Sequence, residues 1–431
     1  MKCVVVGGGI AGVSCSVEIL RLSRDPNAEV VLISPSSFVK SVENYRKVGQ
    51  HGEKFDVKET QHSELFRDPR FRFITDTVTS WESHKQELTL REHGKVSYDK
   101  LCIATGSRPK RQKELGKDPR FVFLRDTQSA VQLKEKLANA QNVLVVGNGG
   151  IATELIYELR DVDVTWMVRD EWICASFFPE DVEKFIEQRL LAGRPDGHKL
   201  NGILKHLPHS ASGVFDSQGG SDVQTGPALG PDWCMNIDFE MLKNQKSNTR
   251  SVNILRNCVV DECGTEGELV IKYTDKKDGN QRKMKPDVVI WAGGVVANSE
   301  EWVTEKELKV DENGAIAVND ACQTSVSNVF ACGDVCSLTL SEPSSIWAQR
   351  QLWTQARQQG EVCGRSMAAG AEEARMQNMY FELFSHCTTF FGMKSKLNTR
   401  IVNDNEKFVN ETTLKRGGVN RVEQGTLNDI N

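Results

Sequence analysis

Two short stretches have the residue types and spacing for chemistry on a phosphate-bearing ligand. Gly7-x-Gly9-x-x-Gly12 follows four apolar residues, Cys3 to Val6, and Gly147-x-Gly149-x-x-Ala152 follows the strand-like Asn142 to Val146. In a strand–glycine turn–helix unit the first glycine permits the tight turn and the second lets the backbone approach a pyrophosphate. The third lets the helix lie close on the strand, and Ala152 is a permitted variant there. The phosphates then meet free backbone N–H groups and the positive end of the helix dipole. A helical pattern through Val13, Val17 and Leu20 supplies the context the pattern needs. Two such units predict two dinucleotide sites, one at Gly7, Gly9, Ile10, Ala11 and Gly12 and one at Gly147, Gly149 and Gly150.

Other residues take their meaning from these loops. The strand Glu29 to Ser34 ends in a hydroxyl where a ribose-binding carboxylate normally sits, which weakens that contact without removing it. Tyr98 to Pro109 places Ala104, Thr105 and Gly106 where the chain must pass close to a bound dinucleotide, and Pro109 turns it away. Val329 to Val335 runs into Gly333-Asp334, and an aspartate fixed at a strand end can accept hydrogen bonds from a sugar alcohol. Pro286 to Asn298 is a strand leading into Gly293-Gly294. After the second loop, the strand Val164 to Val168 ends without an acid and is followed by Arg169. That arginine either accepts a 2′-phosphate, so that NADPH is tolerated, or points to solvent. Lys40 and Lys47 are the charged donors in Ser37 to Gln50 that either reach a ring held by the first loop or are solvated.

These groups need an α/β scaffold with two Rossmann-like dinucleotide-binding domains, and the resemblance given below implies that the first is interrupted by the second. The expected division is 1–125 and 301–370 for the first Rossmann-like domain and 126–300 for the second. Phe71 to Ile74 and Glu87 to Leu90 read as strands of a small meander ending at Val96 to Asp99. Within the second domain, about 195–250 is rich in Gly, Ser, Asn, Pro and Asp and reads as an irregular insertion. Lys276 to Lys285 centres on Asp278-Gly279, a hairpin signal. Ser344 to Ala369 has helix character, with Ser344 as its cap.

Composition narrows the function further. A net charge of −5 in 431 residues gives no broad basic field, so neither nucleic acid nor a membrane surface is an expected partner. The apolar run around Val288 to Ala297 is too short to span a bilayer. The first strand begins at once, so no leader peptide is expected. The 12 cysteines are scattered singly, which favours reduced thiols and a cytosolic setting. Cys258 with Cys263, and Cys332 with Cys336, are read as structural thiols; a redox role for the first pair would require it to sit beside a redox ring.

The order of first glycine loop, A-T-G, second glycine loop, A-G-G and A-C-G-D resembles the pyridine nucleotide-disulfide oxidoreductases over about residues 1–370. That resemblance implies FAD on the first loop beside Ala104-Thr105-Gly106, with Asp334 on the ribityl chain. It implies NAD(P)H on the second loop, with Ile151 and Glu154 near the nicotinamide and Gly293-Gly294 lining its site. Two departures qualify it. Ser37 to Gln50, which the resemblance implies to be a helix bearing a redox cysteine, has none; Ser41 stands where a related branch has its thiol, and serine forms no disulfide. The family's C-terminal interface domain is expected to be truncated or absent, with 371–431 a remnant and a poorly ordered, polar tail.

The resulting expectation is an FAD-dependent NAD(P)H oxidoreductase that passes electrons to a small-molecule or protein acceptor without a protein dithiol. The alternative is a slow redox-sensing scaffold that binds the same cofactors. The segments G-N-G-G-I-A-T-E-L, A-L-G-P-D-W, Q-L-W-T-Q-A-R-Q-Q-G and F-E-L-F-S-H resemble one branch of the family more closely. Resemblance to that branch implies oxidative-stress defence in cytoplasm and nucleus, and protection of a tRNA ligase complex.

Overall fold

The fold is organised by two parallel sheets that are built alike. The computed structural model describes residues 1–48, 52–111, 118–159, 162–175, 178, 180–192, 251–264, 267–304, 307–339, 349 and 351–370; it also gives the strands within 385–426 as backbone. The first sheet has the order Val329–Ala331, Lys100–Ile103, Lys2–Val6, Glu29–Ser34, Phe71–Thr75, parallel throughout. The second has the order Phe121–Val122, Val288–Trp291, Asn142–Val146, Asp163–Met167, Ser251–Leu255, again parallel. Each glycine loop leaves the central strand of its sheet, whose residues are buried on both faces and are therefore a continuous apolar run. The first sheet is completed only by a strand that follows the whole second sheet in sequence, so the first domain is interrupted by the second.

The helices Ile10–Leu22 and Trp353–Ala369 lie together on one face of the first sheet. A Cβ at Gly360 would be 2.4 Å from the Ala11 carbonyl oxygen, so this packing depends on a missing side chain. The two sheets are joined by a short antiparallel ribbon, Ser107–Pro109 with Val295–Ala297. Thr105 Oγ1 donates to the Asn298 carbonyl at 2.7 Å and Asn298 Nδ2 donates to the Thr105 carbonyl at 2.9 Å. The ribbon therefore ties the A-T-G turn directly to the chain leaving the A-G-G turn.

Several expected elements differ. Phe71–Thr75 is not part of the meander but the edge strand of the first parallel sheet; the meander is Val78–Glu82, Glu87–Leu90 and Gly94–Ser97. Phe38–Val48 is a strand rather than a helix and pairs antiparallel with Gly52–Gln61, as Phe38, Val39, Val42 and Tyr45 favour. The late helix begins at Trp353, because Gln351 has φ +53° and Leu352 is extended, so neither continues a helix. The insertion at 195–250 and the cap at Ser344 lie outside the described residues.

The chain beyond about 392, expected to be a poorly ordered tail, instead carries most of an antiparallel four-stranded sheet over Ser385–Phe390, Met393–Val402, Lys407–Arg416 and Val419–Thr426. Its polarity hid strand-favouring Thr, Val, Ile and Phe residues. Its first strand lies against Gly52–Gln61.

Candidate functional site

At the first loop, Gly7 has φ +124°, and a Cβ there would be 2.2 Å from the Ala104 carbonyl oxygen. No other residue type fits that turn. Gly12 is packed behind the loop, with an added Cβ 2.0 Å from the Gly7 carbonyl oxygen. Gly9 is different: a Cβ there meets nothing within 4 Å, and the residue precedes the helix Ile10–Leu22 with no side-chain cap. The open space beside Gly9 is part of a cavity of about 570 Å³. Gly7, Gly9, Ile10, Ala11, Ser34, Ala104, Thr105, Gly106, Gly333 and Asp334 all line it. Four stretches separated by up to some three hundred residues are thus brought to one wall, at the carboxyl ends of the strands where ligands bind in open parallel sheets.

Around this wall the side chains are fixed by one another. Ser107 Oγ donates to Asp334 Oδ2 at 2.8 Å, and the Gly333 N–H donates to Gln359 Oε1 at 2.9 Å. Arg125, also in the lining, donates through Nε to the Ser107 carbonyl. Burial lowers the pKa of its guanidinium, and the Asp334 and Asp126 carboxylates oppose that shift.

Asp76, also in the cavity lining, has a buried carboxylate. Burial alone would raise its pKa, but the His93 ring and the N–H groups of Thr77, His93 and Glu92 hold it well below the usual carboxylate range. Sequence reasoning missed Asp76, Ser107 and Arg125, because a lone polar residue outside a repeating pattern has no spacing that marks it.

A group whose folded pKa lies below its unfolded one contributes stability above the unfolded value and loses it as pH falls below that value. Asp76→Asn, which cannot accept all these hydrogen bonds, is therefore expected to cost about 2 kcal/mol at neutral pH. The gap should close as pH falls below about 4, where the native aspartate begins to be protonated in the unfolded chain. Denaturant midpoints at several pH values check this, and equal midpoints at neutral pH would contradict it.

The second loop repeats the first. Gly147 has φ +134°, with an added Cβ 2.2 Å from the Ala292 carbonyl oxygen, while a Cβ at Gly149 meets nothing within 4 Å. Gly149 precedes the helix Gly150–Glu158, again without a side-chain cap. Ile151 and Glu154 are half-buried on that helix, and Gly293 and Gly294 are exposed at the end of the neighbouring strand. None of these residues lines the cavity of the first loop. The two loops share one backbone design and lie apart, the second outside the cavity of the first.

Lys40 takes neither role that sequence raised for it, and Arg169 lies in solvent, one of its two. Lys40 is outside the cavity lining, and its Nζ lies 2.8 Å from Glu59 Oε2 in a buried pair across the hairpin. Its backbone N–H, not its ammonium, reaches the loop, donating to the Gly8 carbonyl at 2.9 Å. Arg169 points to solvent with its side chain 80% exposed and Nε 3.6 Å from Asp170 Oδ1. Val168 before it is fully buried, so a carboxylate introduced there would enter the core rather than a ribose site. The side chain of Lys47 lies outside the described residues. Ser41 is buried and its hydroxyl donates to the Lys58 carbonyl at 3.4 Å.

The family model described as pyridine nucleotide-disulphide oxidoreductase matches residues 1–193 and 232–360. The chain belongs to the pyridine nucleotide-disulphide oxidoreductase family. Among curated relatives, pyridine nucleotide-disulfide oxidoreductase domain-containing protein 1 of Drosophila melanogaster is 35% identical over 397 residues, covering 91% of this chain and 82% of that protein. The Homo sapiens protein of the same name is 30% identical over 416 residues, covering 91% and 81%. Among solved structures, a NAD-dependent persulfide reductase from A. fulgidus aligns with a TM-score of 0.63 at 17% identity, covering 97% of this chain and 72% of that one. This last likeness supports the fold alone. The segment after the second strand is a cysteine-free hairpin.

Among the described residues, no helix is long and apolar enough to cross a membrane.

Proposed function

We propose that the protein is an FAD-dependent NAD(P)H oxidoreductase that holds FAD at the first glycine loop and NAD(P)H at the second. The observation that carries this reading is the convergence of the first loop, the A-T-G turn and Gly333-Asp334 on one cavity. The residues fit the group: an open, uncapped helix start at Gly9 for a pyrophosphate, and Asp334 and Ser34 for sugar hydroxyls. When bound, FAD would accept a hydride from NAD(P)H and return its electrons to an acceptor. The chain's own work is positioning. The Gly9 and Gly149 loops take the two pyrophosphates, Ser107, itself bonded by Arg125, holds Asp334, and the Thr105–Asn298 bonds fix the ribbon between the two sheets.

Ser37–Gln50 has no thiol, so electrons leave to a small molecule or another protein rather than through a dithiol in that segment. Resemblance supports a further reading, oxidative-stress defence in cytoplasm and nucleus with protection of a tRNA ligase complex.

Steady-state oxidation of NADH under air, and with an artificial quinone, tests the enzymatic reading. Turnover within reach of the enzyme median near 10 s⁻¹ with at least one acceptor is expected. Rates well below about 0.1 s⁻¹ with every acceptor would instead favour a binding scaffold.

Cofactor choice follows from Arg169. With no acid at Val168 and the guanidinium in solvent, kcat/KM for NADH and NADPH is expected to agree within about tenfold, or about 1.4 kcal/mol. Arg169→Ala should lower the NADPH value by no more than a further few-fold. A native preference of a hundredfold either way would mean that another residue selects the cofactor.

A further inference from the structure

Beneath the first loop, on the side of the sheet covered by the two packed helices, four sulfur-bearing side chains meet. Cys15 comes from the helix Ile10–Leu22, Cys102 from the strand Lys100–Ile103, and Cys363 and Met367 from successive turns of the helix Trp353–Ala369. All four are fully buried. The three thiol sulfurs lie within 4.8 Å of one another. Cys363 Sγ is 3.4 Å from Cys102 Sγ, and Met367 Sδ is 3.9 Å from both Cys15 Sγ and Cys363 Sγ. We propose that Cys15, Cys102, Cys363 and Met367 form a binding site for a soft monovalent metal ion, copper(I).

The spacing suits a metal. Four sulfurs around an ion at about 2.3 Å stand about 3.8 Å apart; the three pairs at 3.4–3.9 Å lie close to that, and the three thiol sulfurs all lie within 4.8 Å of one another. The donor set selects the ion. Thiolate with thioether is a soft combination that favours copper(I), whereas zinc sites draw on cysteine, histidine and carboxylate. The ligands are also held in place: the Lys100 ammonium donates to the Met367 carbonyl at 2.6 Å, fixing the helix end to the strand that carries Cys102.

On loading, each ligating thiol releases its proton to solvent and forms a copper–sulfur bond; no electron moves and the ion stays monovalent. Because the site is closed to solvent, the ion enters as the chain folds. Cys332, whose Sγ is 3.5 Å from that of Cys102, lines the cofactor cavity and makes the site an immediate neighbour of it.

The test is metal content. The full chain is produced in copper-supplemented cells, purified without oxygen and analysed for copper per chain, with X-ray absorption reporting the ligand atoms. One copper(I) per chain in a sulfur-only shell is expected, reduced at least tenfold in Cys15→Ala/Cys363→Ala and unchanged in Cys263→Ser. Should the double variant not fold, Met367→Leu keeps the packing volume and is expected to lose one metal–sulfur contact and at least tenfold in retention against a copper(I) chelator. Substoichiometric copper in the native chain, nitrogen or oxygen in the shell, or equal retention by Met367→Leu would overturn the proposal.

Discussion

Gly9→Asp is expected to purify folded but without flavin. A side chain at this position meets no protein atom within 4 Å, so the fold should accept it. The carboxylate would instead occupy the space beside the helix start, where the reading of the site puts a pyrophosphate. Two unit charges about 4 Å apart near a protein surface repel by about 4 kcal/mol, close to a thousandfold in affinity. Gly7→Asp would not be equivalent, since any Cβ there collides with the Ala104 carbonyl and loss of flavin would only report misfolding. Flavin-to-protein ratio and circular dichroism together check the prediction. A Gly9→Asp protein that retains its flavin would show that the first loop has been assigned to the wrong ligand.

Gly149→Asp is expected to keep flavin and lose reduction by NADH, with the apparent affinity for NADH falling by a similar factor of about a thousand. Again the added side chain enters open space. The prediction rests on the second loop lying outside the cavity of the first. A folded variant that lost flavin as well would mean that the two loops serve one ligand.

The parts of this site that were legible in the sequence are those in which a local backbone problem has one solution. Gly7 and Gly147 are required by a positive φ and a carbonyl in contact, and each follows a strand buried on both faces, so spacing alone gave the two loops. Ala104, Thr105, Gly106, Gly333 and Asp334 were found because small residues and a strand-end aspartate recur where the chain crosses the sheet edge. Their convergence on one cavity with Ser34 is a tertiary fact that the linear pattern only implied.

What was not legible depends on partners that the fold, not the local pattern, brings into reach. Asp76 acquires its role from N–H groups at Thr77, Glu92 and His93, and Arg125 from Asp334, more than two hundred residues away. Lys40 was a reasonable charged candidate until the hairpin placed Glu59 opposite it. The hairpin itself was obscured by reading Ser37–Gln50 against a family helix instead of by its Val, Phe and Tyr content. The strands beyond residue 392 were hidden by polarity in the same way, because a sheet of polar, β-branched residues has little apolar periodicity to announce it.

The central claim is that this chain holds a flavin which NAD(P)H reduces directly. Anaerobic mixing of the purified native protein with NADH tests it most simply, by following the visible absorption. The protein is predicted to be yellow as purified, to bleach on addition of about one equivalent of NADH, and to recover its colour when air or a quinone is admitted. A colourless chain that gains no absorption when incubated with FAD, or a yellow one that NADH and NADPH both leave unchanged, would contradict the account.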